Sequence, residues 1–582
     1  MKAIKKAVVF TLCAAILLGA KLPSVINATA EPNDQAPAIL SEANGGGTMQ
    51  QQYAITEENL SLYGSSGTKM TIVDGTIKTT PEGEQKAIIN DFSSRLFDVS
   101  YSIEPAATNG AINGGLYIYA SNPGDPTDHI DALSVNIDRA VGEDNYQLFI
   151  YSFNGDSYLG AEAHTIKLRY HGGKVAVRVI SDEEFINVYL DGSNIPSITK
   201  RISVTPAKGY GLGFRSLNAR MTISDVNISL SHEKPECKTV KLLMIGNSYA
   251  HDTMIYTHEL ARAEGINLVC GVLFYGGCTM EQHANFVANR SKVYTYYKNG
   301  MADRSKTDFF DVLYDEDWDY LTFQTGHGYG GKEEMWYPYI HDLIALVERL
   351  CPTIEIGLFM SWVAPYYREG AGDYKLAMYN DSTDQMYAAT VKCFKDLQLH
   401  NGTKFIVPAA VAMHTAHGTS VCDNTSLATS IHRDTTAHAN EKGRYLLALT
   451  MYRTVTGRRA EGCTFDPVGS TYSSVAGPTY EERLVLQGIC DNAFDAYGYE
   501  TLNLFPEPEE LVALRVENAK TTYRVGQAFD YTGMKVYAVY NDGRKVPVKY
   551  YQIDKMRKLT ASDTEIVISY LGQRAVLPII VQ

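Results

Sequence analysis

Residues 241–252 read KLLMIGNSYAHD, and this stretch decides how the chain is organised. Leu242, Leu243, Met244 and Ile245 form a short apolar run that stops at Gly246-Asn247-Ser248, and a helical pattern begins soon after. A strand buried on both faces has this composition. It ends abruptly and delivers a serine to the tip of a sheet, with the positive N-terminal end of the next helix beneath it. A hydroxyl held there is a nucleophile when a base lies near, and free backbone amides can hold a developing oxyanion. The plainer reading is a turn serine that caps a helix. A base, an acid and further donors at neighbouring strand tips would separate the two.

From residue 238 onward strand and helix patterns alternate. Strands are expected at 241–245, 267–274, 319–323, 354–360 and 404–407, the last extending towards Val411. Helices are expected at 254–264, 280–298, 337–350, 382–399, 440–455 and 481–497, with Gly265 and Gly457 as C-terminal stops. Five β-α repeats imply a three-layer α/β domain over 238–506, a doubly wound parallel sheet with its ligand site at the carboxyl ends of the strands. Those ends carry Ser248, Gly276-Gly277, Gln324 in WDYLTFQTG, and the run HRDTTAH at 432–438. Acyl transfer needs a hydroxyl nucleophile, an imidazole to take its proton, a carboxylate to hold the imidazole and donors for the oxyanion.

The set GNS at 246–248, Gly277, Gln324 and His438 followed by Gly443-Arg444-Tyr445-Leu446 resembles the SGNH (GDSL-like) hydrolases over about residues 238–497. The glutamine and the HxxxxGRYL ending resemble the DUF4886-like branch of that superfamily. The resemblance implies Ser248 as nucleophile with its own amide in the oxyanion hole. It implies Gly277 (or Gly276) as a second backbone donor, Gln324 as a side-chain donor where the family carries Asn, and His438 as base. The family's acid opens an Asp-x-x-His run. Here Asp434-x-x-x-His438 is one residue longer, so the orienting group is either Asp434 or a backbone carbonyl. The resemblance calls for no cofactor and no metal, and it implies a small acyl group on a carbohydrate as substrate. Trp336 and Trp362 follow the third and fourth strands on the ligand face, where an indole can stack a sugar ring, and His327 lies close by. The plainer reading of His327 is a pocket-lining or solvated residue. Asp252, His251 and His283 are further polar groups near the site without a role.

The flanks are β-rich. In 31–235, runs at 115–120, 132–137, 146–151, 164–170, 174–180, 185–190 and 221–230 are separated by Asn, Gly and Pro turns, the pattern of a two-sheet sandwich. The pieces INVYLDG (186–192) and YGLGFRS (210–216) resemble concanavalin-like, laminin-G-type jelly rolls, which implies glycan binding or a spacer. In 508–582, YRVGQAFDYTGMKVYAVYNDG (523–543) resembles bacterial Ig-like domains, which act as spacers or adhesion modules.

A chain of 582 residues exceeds one core, and its net charge of -14 argues against nucleic acid or anionic membrane as partners. Residues 1–30 read as a secretion signal: Lys2, Lys5 and Lys6, an apolar run at 7–20, and Ala28-Thr29-Ala30 for cleavage. No membrane span is expected after cleavage; the alternative is a retained N-terminal anchor. Eight cysteines remain, Cys237 to Cys490, without zinc-type spacing. Disulfides are permitted in such a protein, but spacing does not give their connectivity. The expectation is a secreted or surface bacterial serine esterase that removes O-acetyl or other small acyl groups from carbohydrate. Its rivals are a lipase or thioesterase on longer chains, and a glycan-binding surface protein with a decayed hydrolase domain.

Overall fold

The apolar run that opens the central domain forms the middle strand of its sheet. In the computed structural model, Tyr53 and residues 55–582 are described, apart from 121–131, 155–156, 205–208, 424, 470–475, 506–510, 541–544, 549–550 and 571. The signal-like segment 1–30 lies outside the described residues.

In chain order the main elements of the central domain are β1 (Thr239–Gly246), α1 (Ser248–Ala263), β2 (Asn267–Phe274), α2 (Met280–Ala288), β3 (Tyr294–Lys298), β4 (Met301–Thr307), β5 (Tyr320–Phe323), α3 (Tyr339–Leu350), β6 (Glu355–Phe359), α4 (Thr383–Asn401), β7 (Ile406–Val407), α5 (Ala409–Thr415), α6 (Glu441–Thr456) and α7 (Tyr480–Asp495). The sheet order is β4-β3-β2-β1-β5-β6-β7. Strands β2, β1, β5, β6 and β7 run parallel. Helix α1 packs on α6, which also meets α5 and α7, while α2 packs against α3. In β1 every residue from Leu242 to Gly246 is buried, as a strand covered by helices on both faces requires. Helix α1 buries all but Ser248 and His251, and α6 all but Lys442. These two helices are inner elements, which is why their sequences lack a clear polar stripe.

Three expectations need correction. The helix expected over 280–298 stops at Ala288, and residues 294–307 fold into the antiparallel hairpin β3–β4 on the edge of the sheet. Its turn is Asn299-Gly300, with φ of 51° and 82°. Two successive left-handed residues give the twist that a two-residue hairpin needs, and Asn-Gly adopts them at low cost. The fifth strand does not reach Val411, because Pro408 ends it and α5 starts at Ala409. Helix α1 starts at Ser248 itself rather than at 254, which places the serine in the first turn.

N-terminal to this domain, the described residues form an eight-stranded and a seven-stranded antiparallel sheet. Leu116, Val135, Leu148 and Ile150 of one sheet and Val99, Val177, Val188 and Ile223 of the other are buried in one core. Phe149 and Tyr151 alternate with them onto the outer face, where their rings stack at 5.0 Å. Beyond the central domain, Leu511–Glu517, Lys535–Tyr540 and Lys545–Val548 form one small sheet and Gln552–Ile553, Glu565–Tyr570 and Gln573–Pro578 another. Among the described residues no helix is long and apolar enough to cross a membrane. Among the described residues no disulfide joins any of the eight cysteines from Cys237 to Cys490.

Candidate active site

Asn247 ties the strand tips together. Its Oδ1 accepts from the Tyr249 amide at 3.1 Å and so caps α1. Its Nδ2 donates to the carbonyls of Cys278 (3.3 Å) and Thr325 (3.2 Å), and its own amide donates to Gln324 Oε1 at 3.0 Å. The loops after β2 and β5 are thus hydrogen-bonded to the residue before Ser248. An apolar side chain here would leave the Tyr249 amide and the Cys278 carbonyl without these partners and would cut the tie to the Thr325 carbonyl.

Ser248, His438 and Asp434 lie in a row. Ser248 Oγ is 2.8 Å from His438 Nε2, and His438 Nδ1 is 2.7 Å from Asp434 Oδ2. A nitrogen that faces a carboxylate carries the proton, so Nε2 is the bare acceptor and the serine hydroxyl donates to it. The Asp434 carboxylate also closes its own loop. Its Oδ1 accepts from the Thr436 amide (3.0 Å), the Thr436 hydroxyl (2.7 Å) and the His438 amide (3.2 Å). Burial pushes the Asp434 pKa up. The hydrogen bonds from Thr436 and His438 and the electrostatic attraction of the His438 ring outweigh it and hold the carboxyl below its ordinary value.

The extra residue in Asp434-x-x-x-His438 is absorbed by Ala437. It sits at φ 64°, in the left-handed region. Flanking bonds hold the loop as a narrow two-stranded turn: the Arg433 amide donates to the His438 carbonyl at 2.8 Å, and His432 bridges Ala439. The loop then runs straight into α6, capped by Asn440. Gly443 in the first turn of α6 is required by close approach, since a Cβ there would lie 2.4 Å from the Ile431 carbonyl oxygen.

Ser248 and Gly277, whose backbone amides are the expected oxyanion donors, both lie beyond the carboxyl end of a strand. Ser248 opens α1, where an amide has no partner within the helix. Gly277 lies exposed at the tip of β2 at φ 65°, next to the Cys278 carbonyl that Asn247 holds.

Gln324 does not fit the expected donor role. It is fully buried, and its Nε2 donates to the Ser361 hydroxyl at 3.0 Å and to the Thr325 carbonyl. With Oε1 on the Asn247 amide, the side chain is spent on bracing β1, β5 and β6 against one another. Both ends of the Gln324 amide are thus taken up inside the protein. The two tryptophans are also corrected as sugar platforms, since Trp336 and Trp362 are 0% and 1% exposed. Trp336 packs edge-on to Phe394 and donates to the Gly330 carbonyl at 3.2 Å. Trp362 stacks on Tyr249 with centroids 3.8 Å apart. His327 lies near the relay, but its Nδ1 turns inward to the Tyr249 hydroxyl and burial holds its pKa well below the ordinary value. His251 and His283 stay outside the relay; His283 hydrogen-bonds Tyr294 at 2.9 Å.

Asp252 lies beside the site, and its partners could not be read from the sequence. It lies one helical turn after Ser248 and is fully buried. It accepts from Arg433 Nη1 with both oxygens at 2.8 Å, from Arg444 Nε at 3.0 Å and Nη2 at 2.9 Å, and from the Ala439 amide at 3.1 Å. The residue that follows His438 is thereby fixed to the helix that starts with Ser248. Spacing alone hints at this, because positions i and i+4 of a helix share a face. Among the described residues no three His, Cys, Asp or Glu side chains gather so as to hold a metal ion.

Residues 241–478 match the family model described as a domain of unknown function, DUF4886, and residues 516–581 match that of the bacterial Ig-like domains, group 3. No curated protein matches the chain. Among solved structures, a DUF4886 family protein from Bacteroides uniformis is 25% identical, with 46% of this chain and 98% of that one covered and a TM-score of 0.39. The carbohydrate binding module CBM66 from Bacillus subtilis is 16% identical, with 29% and 94% covered and a TM-score of 0.23. A family two carbohydrate esterase from Cellvibrio japonicus is 11% identical, with 61% and 87% covered and a TM-score of 0.20. The chain therefore carries a DUF4886 domain over residues 241–478 and a bacterial Ig-like domain over residues 516–581.

Proposed function

We propose that the central domain is a serine esterase of SGNH type, secreted or held at the cell surface, that removes acetyl or other small acyl groups from carbohydrate. The observation that carries this reading is the row Ser248–His438–Asp434, with contacts of 2.8 and 2.7 Å, at the carboxyl ends of a parallel sheet. Ser248 Oγ attacks the ester carbonyl while His438 Nε2 takes its proton. Asp434 holds the imidazole in the productive tautomer and faces the positive charge that forms on it. The amides of Ser248 and Gly277 receive the oxyanion, so the hole rests on backbone donors without Gln324. His438 then returns the proton to the leaving alcohol, and water repeats the cycle on the acyl-enzyme. The carbohydrate part of the reading rests on the resemblance of the hydrolase blocks and on the β-sandwich beside them, whose proposed role is to hold glycan.

The test is hydrolysis of p-nitrophenyl acetate, butyrate and octanoate by the mature protein and by Ser248→Ala. Loss of turnover in the variant, with acetate preferred in the wild type, supports the reading and makes acetylated polysaccharides the next substrates. Turnover that survives Ser248→Ala overturns it.

A further inference from the structure

We infer that Tyr249 and Trp362 are positioning residues that set the reach of His438, acting together on the two backbone carbonyls just before it. The inference rests on the reading of Ser248, His438 and Asp434 as the reacting row.

The Asp434–His438 loop has one residue more than the compact Asp-x-x-His turn, and Thr436 and Ala437 lead into His438. Each of these residues has its carbonyl held from the interior. The Tyr249 hydroxyl donates to the Thr436 carbonyl at 2.9 Å, and the Trp362 indole N–H donates to the Ala437 carbonyl at 2.7 Å. The two donors are locked to each other, since their rings stack with centroids 3.8 Å apart and an interplanar angle of 6°. Both are fully buried. The Tyr249 proton is not shared with the imidazole of His327. The hydroxyl spends it on Thr436, so His327 Nδ1 donates to the phenol oxygen, and burial keeps the phenol protonated.

Placement makes this a spacer rather than ordinary packing. Tyr249 follows the nucleophile directly, and its ring also meets the His438 ring edge-on at 5.9 Å. Trp362 comes from the loop after β6. The base loop is thereby referenced to the serine's own helix and to the sheet at once, with Asp252 gripping it on the far side of His438. Ala437 at positive φ is a strained position for a residue with a Cβ, and it persists only where surrounding contacts hold it. Remove either donor and the loop gains freedom at that point, so the distance from Nε2 to Ser248 Oγ spreads. A misplacement near 1 Å costs on the order of 100-fold in rate.

The test uses the full mature chain with Tyr249→Phe and Trp362→Phe, which keep the stacked rings and delete only the donors, and Tyr445→Phe as a control. Tyr445 is buried and loses one hydrogen bond, that from Gln487 at 2.9 Å, away from the loop. Both loop variants are expected to lower kcat about 10- to 100-fold with KM changed less than about twofold, while Tyr445→Phe lowers Tm with kcat kept. A second readout does not need turnover: the far-downfield proton resonance of His438 Nδ1 bonded to Asp434, assigned by its loss in His438→Ala. It is expected in the wild type and broadened or absent in both loop variants. If both variants fold and keep wild-type kcat and a sharp resonance, the inference is overturned. A wild type that turns over no ester but shows the resonance, with its loss in the variants, overturns the esterase reading and leaves the positioning role standing.

Discussion

Asparagine in place of Asp434 perturbs the relay at the point where it departs most from a compact acid–histidine turn. The structure dictates which way the new amide must face. Asp434 Oδ1 accepts three donors from its own loop, and Oδ2 accepts from His438 Nδ1 with Arg433 Nε 3.9 Å away. Asparagine has one acceptor oxygen and one NH2. With the oxygen towards the loop, three bonds are kept and the NH2 faces Nδ1. The imidazole then moves its proton to Nε2 and cannot accept from Ser248. The reverse orientation restores the productive tautomer and gives up the three loop bonds, while one bond to Nδ1 is made either way. At about 1 kcal/mol per bond the three favour the unproductive orientation by about 3 kcal/mol, roughly 150-fold. The missing negative charge beside the imidazolium adds to this, so Asp434→Asn should lower kcat by about 10²–10⁴-fold with little change in KM. The assay is p-nitrophenyl acetate hydrolysis against the Ser248→Ala baseline, with thermal melts to confirm folding. A folded Asp434→Asn protein within about threefold of wild type would show that Asp434 does not orient His438 and would assign that role to a backbone carbonyl.

Other outcomes follow from the same geometry. Asp252→Asn should destabilise the fold by about 3–5 kcal/mol in urea melts, because Arg433 and the buried Arg444 lose their shared carboxylate; a loss below about 1 kcal/mol would show that the network is not coupled to folding. Gln324→Glu should lower Tm sharply, since the new carboxylate would be buried and its second oxygen would face the Thr325 carbonyl; an unchanged Tm with reduced kcat would restore Gln324 to the oxyanion hole. Stability should also fall on acidification. Burial lowers the His283 pKa to about 3 and that of His432 to about 4, so both are neutral when folded. In the unfolded chain they take up protons below about pH 6.5. The unfolded state therefore binds more protons below that pH. The contribution is complete above pH 6.5 and is lost as pH falls towards 4, at up to about 1.4 kcal/mol per pH unit for each imidazole. Urea midpoints between pH 7.5 and 5 measure this, and a midpoint that rises on acidification would contradict it.

Much of the site was legible because a parallel sheet gathers its strand ends whatever their separation in sequence. Ser248, Asp434 and His438 meet for that reason, 186 and 190 positions apart. What was not legible depends on how deep a loop lies. Trp336 and Trp362 follow strands on the ligand side, as expected, but the loops fold over them, and no local pattern distinguishes an indole facing out from one facing in. Gln324 is a similar case, because no local pattern tells whether its amide faces the mouth or the brace beneath. The β3–β4 hairpin is different. Asn299-Gly300 after YTYYK was a readable turn signal, masked by treating 280–298 as one helical run. Asp252 stayed unassigned because its partners, Arg433 and Arg444, are brought to it only by the packing of α6 on α1.

Covalent labelling with a fluorophosphonate probe shows whether Ser248 is an activated nucleophile. The mature protein would be treated with the probe, digested, and the adduct located by mass spectrometry, beside Ser248→Ala and Asp434→Asn. The expected result is an adduct on the peptide containing Ser248, absent in Ser248→Ala and formed much more slowly in Asp434→Asn. A folded wild type that stays unlabelled, or labelling that persists in Ser248→Ala, would contradict it.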